Sequence, residues 1–164
     1  MRSYKLAMEE YKNLLKKGDI QFAYRGIISF FSRLRIFLKK KYPTYVVSSV
    51  YPGYMDMTYI AFTPMEIHKK NLKIAIVYLH EKNILELWLS ASNRKIQAEY
   101  VELFNKEKVQ YKISRVGPGV DSIIEKTIVQ SPDLDNSKEL ISEIEKQCLD
   151  FCGEIESFVS KSIV

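Results

Sequence analysis

Glu86-Leu87-Trp88 is the place in this chain where residue type and spacing raise a chemical question. From Ile84 to Ser90 the sequence alternates, with Leu85, Leu87 and Leu89 on one face of an expected strand and Glu86, Trp88 and Ser90 on the other. The leucines should face a helical layer. The preceding strand-like segment is apolar on both sides, with Ile74, Ile76 and Tyr78 on one and Ala75, Val77 and Leu79 on the other. The second face of the sheet is therefore expected to be covered as well, at least in part. A carboxylate withdrawn from water has its pKa raised unless a cation or hydrogen-bond donors compensate, and such carboxylates recur at functional sites. Two readings follow. Either Glu86 lines a pocket with Trp88, or it pairs with a neighbouring Arg or Lys, or sits at a solvated sheet edge.

Other residue sets carry weaker signals. Asp56 and Glu86 on successive strands resemble the acidic pair of some nucleases, in which two carboxylates hold a hard cation that polarises phosphate and activates water. The companion lysine is missing, because Trp88 occupies its position. His68 and His80 do not stand at metal-ligand spacing with Cys148 and Cys152, and the two cysteines fall on the apolar stripe of an expected helix, where free cysteine packs as a small hydrophobe. Tyr42, Tyr45, Tyr51, Tyr54 and Tyr59 follow the basic run Lys39-Lys40-Lys41. Aromatics beside cations can stack bases and hold phosphates, and they also make ordinary half-buried strands. Gly117-Pro118-Gly119 lacks the lysine and helix of a phosphate loop, and no Gly-x-Ser-x-Gly elbow occurs.

The elements that must position these residues read as follows. A helix is expected over residues 3 to 17, ended by Gly18, with Asp19 capping a long second helix over about 20 to 42. Pro43 stops that helix. The period then changes to two. Strands are expected at Tyr45 to Tyr51, Met55 to Thr63, Leu72 to Leu79 and Ile84 to Ser90, with turns at Pro52-Gly53 and His80 to Asn83, forming an antiparallel meander. Ser92 or Asn93 can cap a helix to about Lys108. Short strands are expected at Tyr111 to Arg115 and Ile123 to Val129. Asn136 and Glu139 form a capping-box pattern before a last helix over about 137 to 160. The fold class is α+β, an antiparallel sheet of four or more strands packed by the long second helix and the C-terminal helix.

Several stretches are familiar in combination: Gly18-Asp19-Ile20 with Ala23-Tyr24-Arg25-Gly26, Tyr42-Pro43, Gly53-Tyr54-Met55-Asp56-Met57-Thr58, Leu72 to Val77, and Gly119-Val120-Asp121-Ser122-Ile123. Together they resemble a family of bacterial proteins classed only as a domain of unknown function, over nearly the whole chain. The resemblance implies a cytoplasmic bacterial protein of one domain and transfers no catalytic residue.

Composition agrees with that scale. A chain of 164 residues, 46% hydrophobic and 27% charged, suits one domain and needs no disulfide or metal to fold. Its net charge of +5 permits an anionic partner without requiring one. The charged beginning has no apolar core of a signal peptide, and no apolar run approaches the roughly 20 residues of a membrane span. A cytoplasmic location without membrane attachment is expected.

These residues do not define an activity. The expected function is a non-enzymatic binding or protein-interaction domain with a small-ligand pocket at Glu86 and Trp88. Arg25, Tyr54 and Asp56 complete the candidate ligand-binding set. No catalytic residue, metal ligand or cofactor is assigned. A homodimer and a small-molecule or protein partner fit this reading, and nucleic acid is the less favoured partner. The alternative is a metal-dependent, nuclease-like hydrolase acting on nucleic acid or phosphate esters.

Overall fold

The computed structural model describes residues 1–161. Two helices open the chain, α1 (Tyr4–Lys16) and α2 (Asp19–Lys41). Gly18 separates them at φ 81°, a left-handed conformation that glycine adopts without a Cβ penalty. Its carbonyl accepts from the Phe22 amide at 3.0 Å. Gly18, not Asp19, therefore stands in the capping position. Asp19 is the first residue of α2, where an acid suits the positive end of the helix dipole.

The strands are β1 (Val46–Val47), β2 (Met57–Thr63), β3 (Leu72–Leu79), β4 (Ile84–Ala91), β5 (Lys112–Ile113) and β6 (Ser122–Gln130). A single helical turn, α3 (Met65–His68), joins β2 to β3. The longer helices α4 (Arg94–Glu107) and α5 (Ser137–Lys161) follow β4 and β6. Among the described residues, six strands form one sheet in the order β1-β2-β3-β4-β6-β5, with every neighbour antiparallel. The expected α+β class and the four-strand meander are both present.

The first expected strand is much shorter than its sequence suggests. Only Val46 and Val47 pair with β2, followed by an isolated bridge between Tyr51 and Tyr59. Ser48 explains the break. Its hydroxyl accepts from the Ala61 amide at 2.8 Å, and its carbonyl is taken by Arg35 Nε at 2.8 Å. A serine side chain has thus replaced a ladder bond, the competition such residues offer to secondary structure.

One hydrophobic cluster joins the sheet to the helices. Ile60, Phe62, Ile74, Ile76, Leu85, Leu87 and Leu89 supply its sheet side. Every buried apolar side chain of α2, α3, α4 and α5 belongs to it. Cys148 and Cys152 lie inside it, both as free thiols. Three buried apolar residues stand outside the cluster: Ala61, Ala75 and Val77. They lie on the opposite face of the sheet. The expected cover of that face is therefore limited to a shallow floor of small residues among larger neighbours. α1 buries no residue at all.

Candidate functional site: an open groove on the second sheet face

The strand registers arrange the open face in rows. Tyr59, Val77, Glu86 and Thr127 are successive partners across β2, β3, β4 and β6. Ala61, Ala75, Trp88 and Glu125 form the next row, and Lys73, Ser90 and Ser122 the one after. Small residues on β3 thus lie between aromatics on β2 and β4, which makes a trough.

Glu86 and Trp88 are neighbours on the same face of β4. Trp88 Nε1 donates to Glu86 Oε2 at 2.7 Å, and Thr127 Oγ1 donates to the other carboxylate oxygen at 3.3 Å. Glu86 is only 7% exposed. Its compensation comes from these two neutral donors, and no Arg or Lys among the described residues is in ion-pair contact with it. Glu86 thereby fixes the edge of the indole, and Trp88 remains half-buried on the surface of the trough.

A second carboxylate on this face went unnoticed in the sequence. Glu125 accepts from Lys112 Nζ at 2.9 Å and from Ser122 Oγ at 2.7 Å. Ser122 Oγ lies 2.6 Å from Ser114 Oγ. Because the Ser122 proton goes to Glu125, Ser114 is the donor in that pair. Burial pushes the Glu125 carboxyl up, but the bonds from Lys112 and Ser122 outweigh it and hold the group below its ordinary range. No three His, Cys, Asp or Glu side chains gather closely enough to hold a metal ion among the described residues.

The trough opens into a groove of about 550 Å³. Ala75 and Val77 form its floor, with Met57 and Tyr59 on one side and Trp88 on the other. Tyr51 stacks on Tyr59 at 4.9 Å, and Lys73 Nζ lies 5.2 Å from the Tyr59 ring centre. The far end is made by Lys73, Ser90 and the entry to α4. There Asn93 caps the helix through its side-chain oxygen, which accepts from the Ile96 amide at 3.0 Å. Gln97 is buried and donates to the carbonyls of Val120 and Ser122, each at 3.0 Å. Arg94 donates to the Gln97 side-chain oxygen at 2.9 Å and to the Val120 carbonyl, with Asp121 at 3.6 Å. Lys73 is the one charged residue of β3, a signal that could have drawn attention to this end.

The remaining candidate residues lie off the groove. Arg25 is exposed on α2, its Nε donating to the Gln21 carbonyl at 3.3 Å. Tyr54 is 89% exposed. Asp56 serves its own turn, its Oδ1 accepting from the amides of Tyr54 at 2.8 Å and Met57 at 2.7 Å. Those two backbone bonds hold its carboxyl below the usual range. The tyrosine cluster is divided. Tyr42 and Tyr45 pack on Phe62 in the core, whereas Tyr51 and Tyr59 stack on the open side. Burial raises the thiol of Cys148 well above its ordinary value and that of Cys152 to about 12, so both stay protonated near neutrality.

A family model described as a domain of unknown function, DUF7000, matches residues 4–159. The chain belongs to this family. The resemblance drawn from the sequence is borne out to that extent, and the DUF7000 match spans both the groove and the helical layer behind it. No curated protein and no solved structure matches the chain. No described helix is long and apolar enough to cross a membrane.

Proposed function

We propose that this DUF7000 protein is a non-enzymatic binding domain that takes a small ligand in the groove beside Trp88. The observation that carries the reading is the groove itself. Its volume of about 550 Å³ lies within the size range of small-molecule sites, and it holds a half-exposed indole whose edge is already fixed by Glu86. The carboxylates of this face, Glu86 and Glu125, have their oxygens committed to protein donors, which favours a structural use for both. The reading takes the chain as one cytoplasmic domain. A single core shared by helices and sheet supports the first point, and two free buried thiols suit a reducing compartment.

Trp88 is the only tryptophan in the chain, so its emission reports on the groove directly. A fragment library screened by Trp88 fluorescence should yield compounds that shift the emission saturably. Calorimetry should show that Trp88→Leu abolishes their binding. A library without any such compound would sink the reading.

A second reading has its own observation. Tyr4, Met8 and Tyr11 of α1 are 90%, 61% and 53% exposed and recur at the three-and-four spacing of a helix-pairing seam. We propose that a second copy of the chain covers this stripe. Sedimentation analysis should give a dimer that Met8→Glu converts to a monomer, and a wild-type monomer at high concentration would refute it.

A further inference from the structure

Most acceptors of the groove are committed to protein donors, Asp121 making only an ion-pair contact with Arg94 at 3.6 Å, whereas several of its donors are free. Gln97 Oε1 is taken by Arg94, Asn93 Oδ1 by the Ile96 amide, and Glu86 by Trp88 and Thr127. Asp121, at the rim, faces Arg94. By contrast, Lys73 Nζ has no carboxylate within ion-pair distance among the described residues, and the hydroxyls of Ser90 and Ser92 and the Asn93 side-chain nitrogen make no hydrogen bond to them. Ser90 is a largely buried residue that lines the groove, and its hydroxyl opens to the groove with no partner among the described residues. Lys73 and Ser90 are direct cross-strand partners, so a cation with no carboxylate partner among the described residues, its Nζ 5.2 Å from the Tyr59 ring centre, and a hydroxyl with no partner among them share one end of the groove and can serve an acceptor from outside.

From these groups we propose that the ligand is a planar ring carrying a phosphate or carboxylate, with the ring against Trp88 and the anion at Lys73, Ser90 and Ser92. This identification rests on the groove reading above and adds the ligand's chemistry. Ser90 follows Trp88 by two residues on the same face of β4, so ring and anion sites lie about 7 Å apart at the rise of a strand. Ser92 extends the anion end. Arg94 approaches the same end but is held by Val120, Gln97 and Asp121, so it shapes the site's field and Lys73 supplies the free charge. Stacking on the indole face is sequence-tolerant and non-directional. Selectivity would therefore come from the anion end, where the donors are fixed.

Matched probes test this by calorimetry on the whole protein, with the Trp88 indole N–H resonance reporting location. Adenosine 5′-monophosphate is compared with adenosine, phenylacetate with phenylacetamide, and inorganic phosphate serves as the ringless control. At least one anion should bind about tenfold tighter than its neutral counterpart and move the Trp88 resonance. Which anion does so separates a phosphate ligand from a carboxylate. Lys73→Ala, at an exposed position, should reduce that anion to its counterpart's affinity, and Lys73→Arg should restore it. Equal affinity for charged and neutral probes ends this proposal and leaves the groove reading standing. Failure of both anions to bind, or an unchanged affinity in Lys73→Ala, also overturns it.

Discussion

Glu86 shows how a buried carboxylate can be accommodated without a cation in ion-pair contact. Two neutral donors on its own face, Trp88 Nε1 and Thr127 Oγ1, take one oxygen each. The sequence raised the right residue, since strand alternation alone puts Glu86 and Trp88 together. It could not raise Thr127, which becomes a partner only through the β4–β6 register. Glu86→Gln keeps one acceptor for the indole and should cost less than about 1 kcal/mol. Glu86→Ala leaves the indole N–H without a partner and should cost about 1–3 kcal/mol. Urea unfolding followed by Trp88 emission measures both, and an alanine variant as stable as the wild type would refute the assignment. His80 carries a different prediction at this scale. Thr58 gives its proton to the Pro52 carbonyl at 2.8 Å, so its oxygen accepts from His80 Nε2, also at 2.8 Å. Burial pulls the His80 pKa below 6.5, and nearby Asp56 opposes this only in part. The unfolded chain then takes up a proton first as pH falls. The stability contributed by neutral His80 is complete above pH 6.5 and declines as pH drops from there through the folded pKa. Unfolding midpoints across pH 5 to 7.5 should show a decline that His80→Gln lacks.

Two glycines govern how the elements are joined, and they should respond differently to the same change. Gly18 has φ 81° and open space where a Cβ would stand, so Gly18→Ala carries only the left-handed backbone penalty of about 1–2 kcal/mol. Gly53 has φ 70°, and an added Cβ would lie 1.8 Å from the Met57 carbonyl oxygen. Gly53→Ala must therefore displace the β1–β2 loop and should be clearly the more destabilising, as paired urea titrations would show. The need for glycine at Pro52-Gly53 was legible as turn chemistry. The extent of β1 was not, because Ser48 supplies its side chain where a backbone bond was expected, and this depends on Ala61 lying opposite. α3 escaped notice for a related reason: four residues are too few to show a helical period. The long helices α2 and α5 were legible because their stripes repeat over many turns, and the Asn93 cap was legible as a local motif. At Asn136 the expected capping box would use the side-chain oxygen, and the side-chain nitrogen has a separate partner. It donates to Asp133 at 2.6 Å.

At the scale of the whole molecule, the two sheet faces differ in kind. One is sealed by α2 and α5, and the other carries a floor of small residues under a groove. Apolar residues on both sides of β3 pointed to cover on both faces, but Ala75 and Val77 are small enough to be sheltered by their neighbours in the sheet. The placement of β6 beside β4, with β5 outside it, could not be read from order along the chain. Against this two-layer body α1 stands apart. It buries no side chain and is tied back through the Gln21 amide, which donates to the Leu15 carbonyl at 2.9 Å. Removing residues 1–17 should therefore leave the sheet, the core and the Trp88 environment intact, with cooperative unfolding retained. The dimer proposed for α1 adds a concentration dependence, because an equilibrium that joins two folded chains raises the unfolding midpoint with protein concentration. The full chain should show that rise over a hundredfold dilution series, and the shortened chain should not. Should the shortened chain lose cooperative unfolding, α1 is part of the folding unit despite its exposure. Should both chains give the same concentration-independent midpoint, the stripe on α1 does not pair two copies.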